Sequence, residues 1–376
     1  MTKRERLIRL FKGQDADRPA IKLWALGKEQ TLLHPDYRPV YELGLKNTEL
    51  FDGGSCRFDC VFGADNARCV TREKSPVSDE WEDAITTLDT GTRILKQVDR
   101  NSLVKKPGYT MEHFVKDADD LKAVLDMPYE PYPVDLSNFK QAVTRVGDDG
   151  VALFGLPHPA FGVYLLMGSE TLAWMTLEND SMALLEQAVS MYSKRLIAHV
   201  KNVLDAGIAG ITDFFGFSWV GPELIIPPLL SPALFDKFCM GPDSDLINLI
   251  HEAGGYAWVH CHGKMANFID RFARMGVDML NPIEPPPMGD ISLADAFSAA
   301  GGRMALEGNI EIGDVMTASP DEIRFLVDRA IAESGARFVL GLTAGYMEVP
   351  EPPKKFIDNL LLYLSYGYER VQSLNR

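Results

Sequence analysis

The sequence is short of positive charge. It has 38 lysine and arginine residues against 53 aspartate and glutamate residues, which gives a net charge of -15 and a pI ≈ 5.0. Nucleic acid and anionic membrane surfaces are bound through basic faces, so we expect neither as a partner. The chain also lacks a run of 18 apolar residues and an apolar stretch behind its charged start, so we expect no membrane span and no signal peptide.

Cysteine is scarce as well. An odd number of cysteines without a regular framework predicts reduced thiols and a cytoplasmic protein. The first three match no standard zinc spacing, so we interpret them as ordinary thiols. The five residues are Cys56, Cys60, Cys69, Cys239 and Cys261.

An alternation of strand-like and helix-like segments fills most of the chain. Hydrophobic residues make up 46% and charged residues 24%, which is typical of a globular protein with a large core. Strands are predicted near positions 20, 58, 151, 209, 256, 277, 303 and 336, with helices between the later ones. Eight such units predict an α/β fold, a (β/α)8 TIM barrel with an N-terminal helical extension. We expect one domain over residues 1–376, in which residues 63–150 are partly inserted material.

The segment 256–263, YAWVHCHG, reads as a short strand that ends in two histidines. Strand side chains alternate between faces, so His260 and His262 are predicted to point one way and Cys261 the other. Two imidazoles on one face are half of a metal site, and Glu284, near the end of the next strand, would complete a 2-His-1-carboxylate set. The alternative is a pair of polar residues at a strand end with no ligand.

Further polar and aromatic side chains are predicted at the carboxyl ends of other strands, where barrels of this type carry their chemistry. Such a rim predicts a small-molecule site. Structural alternatives exist, because Asp213 and Glu307 could bond loop amides and the aromatic residues could be packing. The candidates are Asp213, Phe215, Trp219, Glu307, Asn309 and Tyr346.

Several segments resemble the uroporphyrinogen decarboxylase superfamily, which also contains zinc- and corrinoid-dependent methyltransferases. The resemblance covers nearly the whole chain and implies a (β/α)8 barrel. It rests on TKRER at 2–6, DRP at 17–19, GVD at 276–278, GNI at 308–310 and PEPP at 350–353.

The chain departs from both branches of that superfamily. The decarboxylase has an arginine-rich MRQAGR stretch after its first strand, whereas residues 24–28 here read WALGK, so uroporphyrinogen decarboxylation is not expected. The methyltransferases hold zinc with an H-x-C-G motif and a cysteine in the last loop. Here the motif is His260-Cys261-His262-Gly263, and the late cysteine aligns with Tyr346. The resemblance therefore implies a harder metal site than the family's.

The resemblance implies a methyltransferase or demethylase that moves a methyl group between a small substrate and a corrinoid protein. A divalent metal, with zinc expected first, would be held by His260, His262 and Glu284. Asp213 or Glu307 would move protons, and Tyr346 would donate a hydrogen bond to a developing anion. Phe215, Trp219 and Asn309 would bind the substrate, which the aromatic side chains predict to be apolar or aromatic.

Other functions stay open at this stage. One is a decarboxylase or another lyase acting on a small carboxylate. Another is a metal-dependent hydrolase, although seven histidines are few for that class. A third is a non-catalytic ligand-binding barrel. The oligomeric state is open between a monomer and a homodimer.

Overall fold

The computed structural model describes residues 1–64, 68–104, 106–347 and 349–374. The strands are β1 (Ala20–Ile21), β2 (Leu50–Gly54), β3 (Arg68–Lys74), β4 (Trp81–Asp89), β5 (Ile94–Ser102), β6 (Tyr109–Glu112), β7 (Gly150–Pro157), β8 (Gly216–Val220), β9 (Tyr256–His260), β10 (Met279–Ile283), β11 (Ala305–Ile310) and β12 (Phe338–Leu342). The α-helices are α1 (Lys3–Phe11), α2 (Arg38–Asn47), α3 (Ala118–Leu125), α4 (Ser137–Val146), α5 (Pro159–Met175), α6 (Asn179–Asp205), α7 (Pro232–Phe235), α8 (Gly241–Glu252), α9 (Ile269–Met275), α10 (Leu293–Ala300), α11 (Ile312–Thr317), α12 (Pro320–Glu333) and α13 (Lys354–Gln372).

Eight parallel strands form one curled sheet in the order β1-β12-β11-β10-β9-β8-β7-β2. The two end strands, β1 and β2, lie close to each other. The N–H of Glu49, the residue before β2, donates to the carbonyl of Ile21 in β1 over 2.9 Å. Helices follow the strands and cover the outer face of the sheet. The predicted TIM-barrel fold is therefore confirmed, and the carboxyl ends of its strands form one rim.

The N-terminal extension closes the opposite end of the barrel. Helix α1 begins at a capping box, in which the Thr2 hydroxyl accepts from the Glu5 N–H and the Glu5 carboxylate accepts from the Thr2 N–H. Its Leu7, Leu10 and Phe11 pack in one cluster with inward-facing side chains of the barrel strands. The rim at the other end is left for ligands.

Two predicted strands were wrong. Residues 57–62 contain no strand, and the second barrel strand is β2, which we missed because its Gly53 and Gly54 break the hydrophobic pattern. A glycine is required at 54, since a Cβ there would lie 2.6 Å from the Cα of Phe139 on α4. The predicted strand 209–215 is a 3-10 turn at Ile208–Gly210 followed by a loop, and β8 begins only at Gly216.

The inserted material contains a second sheet. Strands β3 to β6 pair antiparallel in sequence order, between β2 and β7 of the barrel. Residues 65–67 and 105 of this inserted material lie outside the described residues. Across the part of the chain that the structure describes, none of the helices is both long and apolar enough to cross a bilayer.

Candidate functional site

Strand β9 delivers two imidazoles to the barrel rim, as strand alternation predicts. Trp258 belongs to the inward-facing cluster, so His260, two residues later, also faces inward. The ring centroids of His260 and His262 are 4.5 Å apart. Cys261 is buried in the other cluster, between the sheet and the helices. We call His260, His262 and Glu284 the inner cluster.

The His260 ring is held on one edge and one face. Its Nδ1 lies 2.7 Å from the Oδ1 of Asn281, the residue beside it on β10. Trp24 stacks on the ring with centroids 5.0 Å apart and planes 22° apart. Burial, reinforced by the neighbouring His262, lowers the pKa of His260 to about 4. This imidazole is therefore neutral at physiological pH.

Glu307 sits beneath His260 and is completely enclosed. Its Oε1 accepts from the Lys22 ammonium over 2.7 Å and from the Asn281 amide over 2.6 Å, and its Oε2 accepts from the Trp258 indole N–H over 3.2 Å. Its exposed fraction is 0%. Glu307 was predicted to exchange protons with the substrate. In the structure its oxygens instead accept hydrogen bonds from three protein donors.

Lys22 is the cation that compensates Glu307 inside the barrel. Its ammonium lies 4.3 Å from the Trp24 ring centroid, 4.1 Å from that of Phe51 and 4.8 Å from that of Trp258. Burial lowers the pKa of Lys22 and outweighs the opposing effect of Glu307. Lys22 was not predicted as a site residue, because a lone lysine at the end of a short strand carries no motif.

His262 forms a carboxylate–histidine pair with Glu284. The Nδ1 of His262 lies 2.7 Å from Glu284 Oε1, and the Gly263 N–H donates to Glu284 Oε2 over 2.7 Å. Burial lowers the pKa of His262, but the hydrogen bond and charge of Glu284 outweigh it and the net pKa is raised. Burial raises the pKa of Glu284, but the hydrogen bonds from His262 and from the Gly263 N–H outweigh burial, so the net pKa of Glu284 is lowered. Both Glu284 oxygens thus have donors, so the carboxylate orients His262.

Two buried oxygens near the inner cluster have no donor among the described residues. Asn309 is 1% exposed and donates its amide to the Ile283 carbonyl, which leaves its Oδ1 without a partner. Glu311 Oε2 accepts from the Thr343 hydroxyl, and its Oε1 is also buried without a partner. Burial, and then the nearby Glu284, raise the pKa of Glu311. Glu311 follows β11 and continues the alternation from Glu307 through Asn309, but it was not predicted as a site residue.

Asp213 lies at the wrong end of the barrel for catalysis at the rim. It precedes β8, so it sits at the amino ends of the strands, where it forms an ion pair with Arg4 of α1. Its side chain is 78% exposed. The predicted rim position of Asp213 was wrong because β8 starts later than the apolar pattern suggests.

Two predicted substrate residues and Tyr346 are occupied with packing. Phe215 precedes β8, and Trp219 shares the outward-facing cluster between sheet and helices, so neither faces the rim interior. Tyr346 is buried edge-on against Tyr37, and its hydroxyl donates to Gln30 Oε1 over 3.1 Å. Trp24 and Trp258 are inward-facing aromatic side chains that stack on His260, with ring centroids 5.0 and 5.9 Å from that of the imidazole.

A second cluster lies outside the sheet, behind the inner cluster. His158 follows β7, Cys239 precedes α8 and Asp243 lies in its first turn, and we call these three residues the outer cluster. Among the described residues, this is the one set of three His, Cys, Asp or Glu side chains whose ligand atoms all lie within 4.8 Å of one another. Cys239 Sγ lies 3.1 Å from Asp243 Oδ2, and His158 Nε2 lies 3.1 Å from both carboxylate oxygens.

The proton positions in the outer cluster oppose metal binding. The Ala160 N–H donates to His158 Nδ1 over 3.2 Å, so that nitrogen carries the lone pair and the ring proton is on Nε2. Nε2–H then donates to Asp243, and no lone pair remains for a metal there. Burial, and then the charge of Asp243, raise the pKa of Cys239 well above its usual value, so its S–H also donates to Asp243. The outer cluster is a complete hydrogen-bonded triad.

Comparison with protein families identifies the relatives of the chain. The model of the family described as Uroporphyrinogen decarboxylase (URO-D) matches residues 103–356, which is well over half of the chain. The chain belongs to this family. Among curated proteins, none matches the sequence.

Two solved structures match the chain to different degrees. A methyltransferase from Methanosarcina mazei superposes with a TM-score of 0.59 at 15% identity, over 98% of this chain and 99% of that chain. At this identity the likeness concerns the fold alone. A B12-independent methionine synthase from Shewanella sp. W3-18-1 matches with a TM-score of 0.43 at 12% identity, over 95% and 97% of the two chains, which is too low to support an argument.

Proposed function

We propose that the protein is a methyl-transfer enzyme that moves a methyl group between a small substrate and a corrinoid protein, with a divalent metal at the inner cluster. The observation that carries the proposal is the pair His260 and His262 at the family's zinc motif, each with its Nδ1 engaged by an acceptor. Each ring can therefore offer Nε2 to a metal. Membership of the family is consistent with this chemistry at a coarse level only.

The residues present fit a metal, with one change to the predicted ligand set. Glu284 is better suited to orient His262 than to bind the ion, because both of its oxygens already accept hydrogen bonds. Two further acceptors without protein donors, Asn309 Oδ1 and Glu311 Oε1, fit a hydrated cation or another donor nearby. When bound, zinc or a similar ion would act as a Lewis acid on an oxygen or sulfur of the substrate.

Proton movement falls to Glu311 in this proposal. Asp213 is at the other end of the barrel, Glu307 is enclosed by three donors, and the Tyr346 hydroxyl is bound to Gln30. Glu311 has a raised pKa and an oxygen without a donor among the described residues, which suits a group that accepts a proton from an acceptor thiol or donates one to a leaving alkoxide.

Electrostatics favours this reaction over decarboxylation of a carboxylate-rich substrate. Lys22, the cation that acts on His260, is bound to Glu307 and surrounded by aromatic rings. Glu223, Glu284 and Glu311 all act on His262 with negative charge. A bound divalent metal would offset this charge for one coordinating carboxylate, but a substrate with several carboxylates would still meet repulsion, whereas a neutral methylated molecule would not.

The test is a metal assay joined to a methyl-transfer assay. Full-length protein without a histidine tag should bind about one divalent metal per chain, and His260→Ala or His262→Ala should abolish it. Cys239→Ser in the outer cluster is the matched control and should retain the metal.

The same protein, mixed with reduced free corrinoid and candidate methoxyaromatics or methylthiols, should produce methylcobalamin by its absorbance change. Carbon dioxide release without that signal would favour a decarboxylase. Neither metal nor turnover would favour a ligand-binding barrel.

A further inference from the structure

The geometry points to a positioning role for Glu307: we propose that its carboxylate, acting through Asn281, fixes the His260 ring in the tautomer with the proton on Nδ1. The lone pair is then confined to Nε2, which has no hydrogen-bond partner among the described residues. The use of that lone pair for a metal rests on the proposed function, but the tautomer itself does not.

The hydrogen bonds of Glu307 fix the orientation of Asn281, and Asn281 in turn fixes that of His260. The ammonium of Lys22, the amide of Asn281 and the indole N–H of Trp258 all donate to Glu307, so both carboxylate oxygens must be acceptors. Asn281 must therefore turn its NH₂ group toward Glu307. Its carbonyl oxygen then faces His260 Nδ1 at 2.7 Å, and that nitrogen has to be the donor.

Lys22 keeps this chain of orientations in place. A buried carboxylate is costly unless it is paired, and the Lys22 ammonium at 2.7 Å supplies the charge inside a ring of aromatic side chains. A neutral, protonated Glu307 could turn an O–H toward Asn281 and reverse its amide. His260 Nδ1 would then face an NH₂ group and the ring proton would move to Nε2.

Stacking against Trp24 restricts rotation of the His260 ring. Trp24 stacks on His260 at 5.0 Å and on Trp258 at 5.7 Å, so the imidazole cannot rotate without separating from the indole. Its side chain is 7% exposed in all, which limits access of water to Nδ1. The protein hydrogen bond therefore decides which nitrogen holds the proton.

The test reads the tautomer directly. Full-length, metal-free protein labelled with ¹⁵N-histidine is studied by long-range ¹H–¹⁵N correlation at pH 8, where His260 is neutral. We expect a protonated Nδ1 and an unprotonated Nε2 in the wild type. Glu307→Gln offers one acceptor oxygen to three donors, so it should populate the Nε2–H form of His260. Asn281→Leu, which leaves the Lys22–Glu307 pair intact, should do the same.

Glu284→Gln is the matched control, because it alters the partner of His262 and should leave the Nδ1–H tautomer of His260 unchanged. A purely structural role for Glu307 would leave the His260 tautomer unchanged in both variants, and that result would overturn the proposal. Asn281→Leu carries the test by itself if Glu307→Gln does not fold.

Zinc affinity, measured by competition with a chromophoric chelator, gives a second reading. Asn281→Leu and Glu307→Gln should weaken it roughly 10–100-fold, as loss of a group that orients a metal ligand does. A tautomer shift in a protein whose wild type binds no zinc would support the positioning role and contradict the metal in the proposed function.

Discussion

The inner and outer clusters contain similar side chains on opposite sides of the sheet. In the inner cluster both histidines have their Nδ1 on an acceptor, which leaves Nε2 for a ligand. In the outer cluster His158 receives a backbone N–H at Nδ1, and its Nε2–H is used on Asp243. The outer cluster has the tighter spacing of ligand atoms, yet the inner one has the available lone pairs. Proton position separates a ligand site from a structural triad better than distance does.

Among the variants that test this contrast, we expect Asp243→Ala to have the largest effect on the free energy of unfolding. It would leave the buried His158 N–H and Cys239 S–H without an acceptor, so the free energy of unfolding should fall by about 3 kcal/mol. Urea denaturation measures this change. The exposed Asp245→Ala on the same helix is the control and should stay within about 0.5 kcal/mol of the wild type. Loss of stoichiometric metal in Asp243→Ala would show that the outer cluster is the metal site.

His262→Ala should give the opposite pattern. Its side chain is 38% exposed, so stability should change by less than about 1 kcal/mol, while stoichiometric zinc should be lost because a ligand is removed. His251→Ala is a close control, because His251 also pairs with a carboxylate, Asp278, but precedes β9 at the opposite end of the barrel. Equal losses of zinc in both variants would mean that binding is nonspecific.

The same contrast explains what the sequence could predict. Alternation along β9 is a property of any strand, so the inward direction of His260 and His262 followed from the pattern alone. The partners of their Nδ1 atoms did not, because Asn281 and Glu284 come from the next β-strand and its loop and meet them only in the assembled sheet. The outer cluster was missed for the same reason, since His158 and Asp243 are 85 residues apart.

Asp213 and Glu311 show where pattern reading fails at the ends of strands. The strand predicted at 209–215 is a barrel strand, but it begins only at Gly216. Asp213 therefore lies at the amino end of the barrel strands and not at their carboxyl end. Glu311 was missed because it follows β11, beyond the apolar run that marks the strand. Chemistry at a rim depends on those terminal residues, so the fold was predictable and much of the site was not.

The pH dependence of zinc binding separates the two inner histidines. His260, with a pKa of about 4, needs no deprotonation between pH 5 and 8, whereas His262, with its pKa raised by Glu284, must lose a proton. Below the pKa of His262 the apparent affinity should therefore fall about tenfold per pH unit, by competition titration. Glu284→Gln should move this fall to lower pH. A hundredfold fall per unit in this range would mean that both histidines are protonated.

The smallest effect is expected from Asp213→Ala, which tests the correction to its position. Its ion pair with Arg4 lowers the pKa of Asp213, so the pair stabilises the fold above the unfolded pKa and is lost as pH falls through the folded value. Because the side chain is largely exposed, the contribution should be below about 1 kcal/mol by urea denaturation at pH 7. The difference from wild type should shrink toward pH 3. Zinc affinity and methyl transfer should be unchanged, because the residue lies at the end of the barrel away from His260. A loss of turnover at unchanged stability would return Asp213 to the reaction and contradict the strand boundary that separates it from the rim.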